Sequence, residues 1–265
     1  MRKLFFAIVL ITISANAKAQ STLFGVNANF NTTWLLNKNI NEAGSWINPE
    51  ASFANSIGLQ GGYLFGKNTA IKLELNTFTV RQKYNGEFQF ANNVSVNYKG
   101  EDKVKFYDIP LMFQISNNGG MYFEFGPRMM LVRTSLGSID PVQPLTYEYN
   151  ARNISHQFHK TIFGVAAGLG INIKTSERIV INAGVRFTRS LSDVTKEMDK
   201  SELFDSFYNE QNKNENLIGL TGLYSHYNKD FEYDYAPTTL FTGGIMFGVS
   251  MNIITKKKEE KKPVE

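Results

Sequence analysis

The chain of 265 residues contains no cysteine. This absence excludes disulfide bonds, thiolate metal sites and a cysteine nucleophile. It also excludes a lipid-anchored lipoprotein, because that modification requires a cysteine to acylate. Tryptophan is scarce as well, with 2 residues against 21 phenylalanines and 12 tyrosines. The abundant aromatic side chains are therefore mostly of the two kinds that favour β-strands.

Long apolar runs are missing except near the N-terminus, where residues 4–13 follow Arg2 and Lys3. This run is too short to cross about 30 Å of hydrocarbon as a helix. The Ala-Lys-Ala sequence at 17–19 fits the small-x-small cleavage pattern, so residues 1–19 are expected to be a signal peptide cut before Gln20. The mean hydropathy of −0.25 argues against a helical membrane protein. It is compatible with a barrel, whose strands expose only every second residue to lipid.

The positive charge of the chain is concentrated at its ends. The sequence pI is about 9.0 and the formal net charge is +4, but three cations belong to the signal and five lie in residues 256–265. The remaining body is close to neutral. Because nucleic-acid binding needs basic residues clustered on the folded body, a nucleic-acid partner is not expected.

Eight stretches alternate apolar and polar residues with period two, the pattern of β-strands with two unlike faces. In the first, phenylalanine, valine and alanine alternate with glycine and asparagine. The polar face of most stretches consists of glycine, asparagine, serine or a charged residue. The stretches lie near 23–33, 51–65, 71–76, 103–116, 123–131, 161–173, 179–187 and 241–253.

The seven connections between these stretches alternate between long and short. The short ones are 66–68, 117–120 and 174–177, and the long ones are 34–50, 84–102, 134–160 and 190–237. A membrane-crossing barrel sorts its connections in this way, with tight turns on one side and free loops on the other. We therefore predict an all-β, eight-stranded antiparallel transmembrane barrel of the outer-membrane type, with short periplasmic turns and long extracellular loops. A soluble lipocalin-like barrel is the main structural alternative.

This architecture divides the chain into a signal peptide at 1–19, a barrel at 20–255 and a charged periplasmic tail at 256–265. Both termini are expected in the periplasm. Pro110 lacks an N–H and a closed barrel has no edge, so we expect a local bulge there. Residues 88–96 resemble a hairpin that extends two strands beyond the membrane. The long, aromatic fourth loop is expected to be functional, packing over the barrel mouth.

Several charged residues fall on the faces predicted to point into the lumen. Opposite charges in a narrow lumen can pair and fill it, so we expect a structural cluster that holds the barrel shut. A polar binding site or proton path is the alternative. The predicted cluster consists of Lys72, Glu74, Asp108, Glu124, Arg128 and Arg186.

Catalytic and cofactor motifs are weak. His156 and His159 could share a metal on a helix, but no Glu-x-x-His context or third ligand accompanies them. Neither a Gly-x-Ser-x-Gly motif nor a glycine-rich phosphate loop is present. We predict no catalytic residues, no bound metal and no cofactor.

Two adjacent strands carry a family resemblance. The sequence FYDIPLMFQI at 106–115 is followed, after a short turn, by MYFEFGPRM at 121–129. Arg186-Phe187 then precedes Leu-Ser-Asp-Val at 191–194, and a glycine-rich strand closes the chain. This order resembles the Bacteroidota outer-membrane β-barrel family, often labelled PorT-like and grouped with the porin-family barrel domains. The charged tail after Ile254 departs from many barrels, which end on an aromatic residue.

The resemblance implies an outer-membrane location and, through the named member of that family, a link to type IX secretion. We expect a non-enzymatic scaffold or partner-binding protein that contacts outer-membrane lipid and other envelope or secretion proteins. Eight strands leave no open channel, which disfavours a general porin. Two alternatives stay open. One is an enzyme acting on lipid or peptide with His156 or His159 as base, and the other is an adhesin or ligand binder that uses its loops.

Overall fold

The computed structural model describes residues 21–65, 68–89, 95–141, 149–176, 178–201, 219–228, 230 and 232–254. The predicted signal peptide, the predicted tail from 256 onward and the tip of the predicted hairpin at 90–94 lie outside these residues. Of the fourth loop, the described parts are 190–201, 219–228, 230 and 232–237.

Eight long strands dominate the described chain, and each coincides with one of the predicted stretches. Two short strands, β2 (Asn48–Glu50) and β7 (Tyr149–Asn153), lie in the connections. The long strands are β1 (Ser21–Leu36), β3 (Ser52–Phe65), β4 (Thr69–Gln89), β5 (Ser95–Ser116), β6 (Met121–Pro141), β8 (Thr161–Lys174), β9 (Ile179–Ser190) and β10 (Thr239–Ile254).

Among the residues that the structure describes, helical structure is confined to short pieces within the long connections. Helix α1 (Lys38–Glu42) follows β1, and helix α2 (Leu220–Ser225) precedes β10. Single 3₁₀ turns occur at Gly44–Trp46 and Ser155–Gln157. In the part of the chain that is described, no helix has the length and apolar character needed to cross a membrane.

The eight long strands form a closed antiparallel ring. Each pairs with its neighbours in the order β1-β3-β4-β5-β6-β8-β9-β10, and β10 pairs with β1 from Ser21↔Ile254 to Leu36↔Thr239. The pairing of β4 with β5 completes the circle. All eight pairs of neighbouring strands in the ring are therefore hydrogen-bonded. This pairing satisfies the backbone hydrogen-bonding groups within lipid and leaves no free strand edge.

The ring is apolar on the outside and polar on the inside, the reverse of a soluble barrel. Large outward side chains remain exposed, among them Phe24 at 54%, Leu59 at 50% and Leu169 at 57%. Inward positions of the same wall are buried and polar, as at Asn27, Glu74 and Glu124. An apolar outer band of this kind is stabilised by hydrocarbon rather than by water. The prediction of a transmembrane barrel, rather than a soluble one, is confirmed.

Glycines on the polar faces make room for large inward side chains. A Cβ added at Gly170 would lie 2.6 Å from the hydroxyl oxygen of Tyr122, and one added at Gly184 would lie 2.8 Å from it. Both distances are far shorter than van der Waals contact. The glycine-rich faces of β8 and β9 therefore allow the Tyr122 ring to fit inside an eight-stranded wall.

The bulge expected at Pro110 is not there. Pairing of β5 with β6 keeps one register across Pro110↔Arg128 and Phe113↔Phe125, and the register shift lies between Lys105 and Phe106. Pairing with β4 skips Pro110 and resumes in the same register. The prediction was wrong because a missing N–H removes one hydrogen bond without requiring an additional residue in the strand.

Strands β4, β5 and β6 are longer than their apolar bands. The prediction ended the second gap at residue 102, yet β5 begins at Ser95 and β4 continues to Gln89. This agrees with the hairpin expected around 88–96. The three strands form a sheet beyond the membrane band, and β2 and β7 pair with its outer edges.

An arginine placed on the outward face at mid-membrane should destabilise the barrel. We expect Leu59→Arg to cost about 2–4 kcal/mol of unfolding free energy, because the cation would face hydrocarbon. Thr79→Arg, near the outer limit of the apolar band, should cost no more than about 1 kcal/mol. Urea unfolding in lipid vesicles measures both. Equal costs at the two positions would contradict the assignment of the apolar band to the membrane.

Candidate functional site

The lumen is crossed by a buried ion network centred on Arg186. Its guanidinium donates from Nη1 and Nη2 to the two carboxylate oxygens of Glu74, both at 2.7 Å. Nε and Nη2 also donate to Oε1 of Glu124, at 2.9 and 2.5 Å. Lys72 Nζ lies 2.6 Å from Oε2 of the same Glu124. One arginine thus joins two carboxylates, and one of these carries a second cation.

The strand register explains why these groups meet. Glu124 on β6, Gly168 on β8 and Arg186 on β9 are paired in one row across the wall. A Cβ added at Gly168 would lie 3.2 Å from Glu124 Oε1. The small residue between the two charged ones therefore leaves the space in which their side chains approach each other.

A second ion pair lies nearer the long-loop end of the lumen. Arg128 Nε donates to Asp108 Oδ1 at 2.9 Å, and its Nη1 donates to the hydroxyl of Thr188. The guanidinium carbon also lies 5.5 Å from the ring centre of Phe78. The structure therefore places all six residues of the predicted cluster inside the barrel, as three cations and three anions in two separate groups of ion pairs.

An apolar plug fills the lumen beyond the second pair, toward the long loops. Its side chains come from the inner faces of the strands and from the third and fourth loops, and most of them have no measurable exposure. Close packing of this kind excludes water. The plug consists of Leu35, Ala54, Phe78, Val80, Val104, Phe106, Met130, Ile154, Phe158, Ile162, Val194 and Leu240.

Above the plug, parts of several connections pack into an ordered cap. The cap comprises residues 37–50, the ends of β4, β5 and β6 beyond the membrane band, 154–160, and the described residues of 190–238. It has its own buried cluster of Ile40, Ala43, Ile47, Tyr84, Tyr98, Leu220 and Tyr224. The first loop, the strand extensions and the fourth loop therefore share one small core.

Asp102 on β5 anchors helix α2 of the fourth loop. Its Oδ2 accepts a hydrogen bond from the backbone N–H of Thr221 at 2.7 Å, in the first turn of the helix. The Thr221 hydroxyl lies 2.7 Å from the hydroxyl of Tyr84 on β4. Asp102 is 1% exposed, and this burial raises the pKa of its carboxyl group to about 6, although the hydrogen bonds from Thr221 lower it.

His226 holds two parts of the fourth loop together. Its Nε2 accepts a hydrogen bond from the backbone N–H of Met198 at 2.8 Å, so Nδ1 carries the proton and donates to the Gly222 carbonyl at 2.7 Å. The ring is fully buried beside Tyr235, with 4.7 Å between ring centres. Burial lowers the pKa of this histidine, which keeps the neutral form that accepts from Met198.

Asn37 connects the first loop to the fourth. Its Oδ1 accepts from the backbone N–H groups of Asn39 and Ile40, which caps helix α1. Its Nδ2 donates to the Ala236 carbonyl at 2.6 Å. One amide side chain therefore starts a helix and fixes the chain just before β10.

Asp193, in the Leu-Ser-Asp-Val segment, closes the cap over the barrel rim. Its Oδ1 accepts from the backbone N–H groups of Thr195 and Thr238, at 3.1 and 2.9 Å. The Tyr235 hydroxyl donates to Oδ2 at 2.5 Å. The sequence identified this segment only through its family resemblance, and the structure shows that it joins the end of β9 to the start of β10.

The short-turn end of the lumen is different, because it opens into a polar cavity of about 560 Å³. Gln60, Gln114 and Asn182 line it, and Lys72 lies at its inner end. The lumen is therefore filled by the ion pairs and the plug toward the long loops and is open toward the short turns.

The histidines considered as catalytic candidates lie apart from the buried network. His159 is exposed, and His156 belongs to the 3₁₀ turn at Ser155–Gln157. The hydroxyl of Ser155 accepts from the backbone N–H of Ser135 at 2.9 Å. In the described ranges, no group of three or more His, Asp or Glu side chains is arranged to hold a metal ion.

Sequence reasoning missed the residues that build the cap, chiefly Tyr84, Tyr98, Asp102 and Asn37. A signal for the strand residues existed, since Val80, Gln82 and Tyr84 continue the inward positions of β4 past the apolar band. Their partners in the fourth loop had no comparable signal. Those contacts join residues more than a hundred positions apart, such as Asp102 and Thr221.

The closed ring, the apolar outer band and the charged lumen define a β-barrel of the outer membrane. A family model described as "Outer membrane protein beta-barrel domain" matches residues 5–204. The chain belongs to this family and is an outer-membrane protein. Comparison with curated proteins found no matching relative.

Solved structures of outer-membrane barrels are similar over most of the chain, at low identity. Neisserial surface protein A is 10% identical with a TM-score of 0.37, covering 87% of this chain and 97% of that one. OprG from Pseudomonas aeruginosa is 11% identical with a TM-score of 0.35, covering 89% and 98%. Ail of Yersinia pestis is 10% identical with a TM-score of 0.33, covering 87% and 98%. The family assignment rests on the sequence match.

Removing Arg186 should be among the most damaging single substitutions in the barrel. We expect Arg186→Met to cost about 3–5 kcal/mol of unfolding free energy, because it leaves two buried carboxylates without their shared counterion. Adding Glu74→Gln should restore part of this loss, since Glu74 is then the carboxylate without an ion-pair partner, whereas Glu124 keeps Lys72. Urea unfolding in vesicles measures both variants.

The matched control for this substitution is Arg189→Met, which removes the same charge from an exposed position of the same strand. Its effect should lie within about 0.5 kcal/mol. If the losses from Arg186→Met and Glu74→Gln were additive, the two residues would not be coupled as the geometry indicates.

The contact between Asp102 and helix α2 should weaken as the pH rises from about 4 to about 6. The buried carboxyl group keeps its proton in this window while an exposed aspartate, with its usual pKa of 3.8, has lost it. The packed state therefore binds more protons, and its stability falls with rising pH. Hydrogen exchange of the α2 backbone amides, corrected for intrinsic exchange rates, should show that the helix opens more readily at the higher pH.

Asp102→Asn should abolish this pH dependence, because the amide does not titrate. Asp140→Asn, an exposed carboxylate on the neighbouring strand, should leave it unchanged. A pH dependence that persisted in Asp102→Asn would have to come from another group.

Proposed function

We propose that this protein is a non-enzymatic scaffold of the outer membrane that presents its cap to a protein partner outside the cell. In this arrangement the four long connections face outward, and the short turns and both termini face the periplasm. Outer-membrane barrels generally place short turns on the periplasmic side. The observation that carries the proposal is the ordered cap, whose buried core joins separate loops.

A role in solute passage is disfavoured by what fills the lumen. Arg186 and its two glutamates occupy the middle of the barrel, and the apolar plug lies between them and the cap. A solute crossing the barrel would have to separate buried ion pairs, and breaking such pairs costs several kcal/mol. The polar cavity at the short-turn end reaches Lys72 at its inner end.

Partner binding is favoured by the rigidity of the cap. Its loops are held by buried hydrogen bonds from Asn37, Asp102 and His226. A surface that is already ordered loses little conformational entropy when it binds. The extended sheet of β4, β5 and β6 carries exposed charged residues such as Lys83, Lys99 and Asp140, which suit a polar contact surface.

The partner that we favour is another envelope protein, in particular a component of type IX secretion. The support for this finer assignment is the family resemblance of the strands around Pro110 and Pro127. An adhesin that uses the same cap is the second possibility, and the experiment below separates the two by the origin of the captured protein.

The absence of cysteine makes a direct test possible. Lys99→Cys places a thiol on the exposed face of the cap, and Asn118→Cys places one at the short-turn end. A membrane-impermeant maleimide added to intact cells should label the first variant and leave the second unlabelled until the membrane is opened. The reverse result would overturn the proposed orientation.

A photo-crosslinker attached to the same cysteines tests the function. We expect Lys99→Cys to capture a defined envelope protein in the native membrane, and Tyr63→Cys, which faces lipid, to capture none. Capture of a type IX component would support the secretion role, whereas capture of a host or surface protein only would support the adhesin. Hydrolysis of lipid or peptide by the purified barrel, lost in His159→Ala, would overturn the non-enzymatic proposal.

A further inference from the structure

Four exposed, positively charged side chains lie along one wall of the barrel at the long-loop limit of the apolar band, three of them at outward positions of their strands. They are Arg81 on β4, Lys105 on β5, Arg133 on β6 and Lys160 directly before β8, and all four are exposed. We call this set the basic arc. Large apolar or aromatic side chains lie immediately below it on the same strands, at Tyr107, Leu131 and Phe163.

The strand pairing brings the members of the arc side by side. Lys105 is paired with Thr134, the residue after Arg133, and the backbone N–H of Val132 donates to the Lys160 carbonyl at 2.9 Å. The register shift between Lys105 and Phe106 gives β6 one additional residue, Arg133. The bulge therefore adds an arginine to the outward face between two lysines.

The positive charge of the arc is largely uncompensated by the protein. Arg81 is paired with Lys103 across the two strands, and like charges in such pairs repel. The carboxylate near this edge is Glu101, 3.7 Å from Arg81. Within the described ranges, no carboxylate lies within ion-pair distance of Lys105, Arg133 or Lys160. The arc has the electrostatic character of a site for anions.

The arc is confined to one half of the barrel. On β1, β3 and β10 the outward side chains at the same limit are uncharged, with Trp34, Phe53 and Phe241 in these positions, whereas β9 carries the exposed Arg189 opposite Phe241. A requirement for general solubility would distribute cations around the whole rim. Their concentration on the neighbouring strands β4, β5, β6 and β8, with Arg189 on β9 beside them, indicates a localised partner.

An apolar groove of about 650 Å³ lies on the same wall, nearer the middle of the membrane. Pro127, Val165 and Ala167 line it between β6 and β8, and phenylalanine side chains such as Phe113 and Phe125 border it. Its surface is almost entirely apolar, which suits a hydrocarbon chain. A soluble anion would make no use of this groove.

We propose that the basic arc and the groove together bind a lipid of net negative charge that carries phosphate groups, in the leaflet at the long-loop end. The phosphate contacts Arg133, Lys105 and Lys160, and an acyl chain descends past Phe163 into the groove. Arginine presents several N–H donors in a fixed geometry that matches phosphate, and lysine reaches the interface with its charged end. With the orientation proposed above, this leaflet is the outer one.

The test uses the full-length barrel in nanodiscs of phosphatidylcholine that contain a small fraction of diphosphorylated lipid A. Native mass spectrometry then counts the lipid A that stays bound. Replacing the three residues together, Lys105→Gln, Arg133→Gln and Lys160→Gln, should weaken this binding on the order of 100-fold, at about one kcal/mol for each cation.

The control replaces three exposed lysines of the cap, Lys38→Gln, Lys83→Gln and Lys99→Gln, which changes the net charge equally and should leave binding unchanged. Equal binding by the triple arc variant and the parent would overturn the proposal. For the unaltered barrel, dephosphorylated lipid A should bind no better than phosphatidylcholine. Equal retention of the diphosphorylated and the dephosphorylated lipid A would also overturn the proposal. Binding in nanodiscs does not depend on the orientation of the barrel in the cell. A negative result here would therefore refute the lipid site, whereas a negative labelling result would refute the proposed orientation.

A water-soluble probe distinguishes a lipid from a free anion. Glucosamine phosphate should bind the detergent-solubilised barrel far more weakly than lipid A does, because it cannot occupy the groove. Binding of equal strength would assign the arc to soluble phosphates and overturn the lipid assignment.

Discussion

The buried contact of Arg186 with Glu74 and Glu124 is the interaction on which the rest of the barrel depends. An eight-stranded wall encloses a lumen too narrow for bulk water around each charge. Charged residues inside it must therefore neutralise one another, and each needs hydrogen-bonding partners. Arg186 satisfies both carboxylates at once because its donors are spread over a planar group. Glycines in the facing strands provide the space for these side chains, so the ion network depends on the small residues around it.

The charge network also divides the protein into two functional ends. Toward the short turns the lumen remains polar and open, as the cavity around Gln60 and Asn182 shows. Toward the long loops the apolar plug and the cap close it. The strands β4, β5 and β6 serve both regions, since their lower parts face lipid and their upper parts carry the buried tyrosines of the cap. A rigid wall in the membrane thereby positions a rigid surface above it.

Much of the fold could be predicted from the sequence because strand periodicity is a local property. Residues two apart share a face, so the alternation in 23–33 or 161–173 already separates the lipid side from the lumen side. The same alternation placed Lys72, Glu124 and Arg186 inside. The bulge at Pro110 was predicted instead from the missing N–H of proline, and it was wrong, because the extra residue is Arg133 in the neighbouring strand. The position of a bulge depends on how two strands pair, so it cannot be predicted from the sequence of either strand alone.

The sequence by itself determined that this chain is a barrel, which residues face its lumen, and which connections are tight turns. It did so because these properties follow from the order of residues along single strands. The tertiary structure alone decided which charges pair, how Asp102, Asn37 and His226 fasten distant loops into a cap, and how Lys105, Arg133 and Lys160 become neighbours. Those outcomes depend on register and ring closure, which bring together residues that are far apart in the chain.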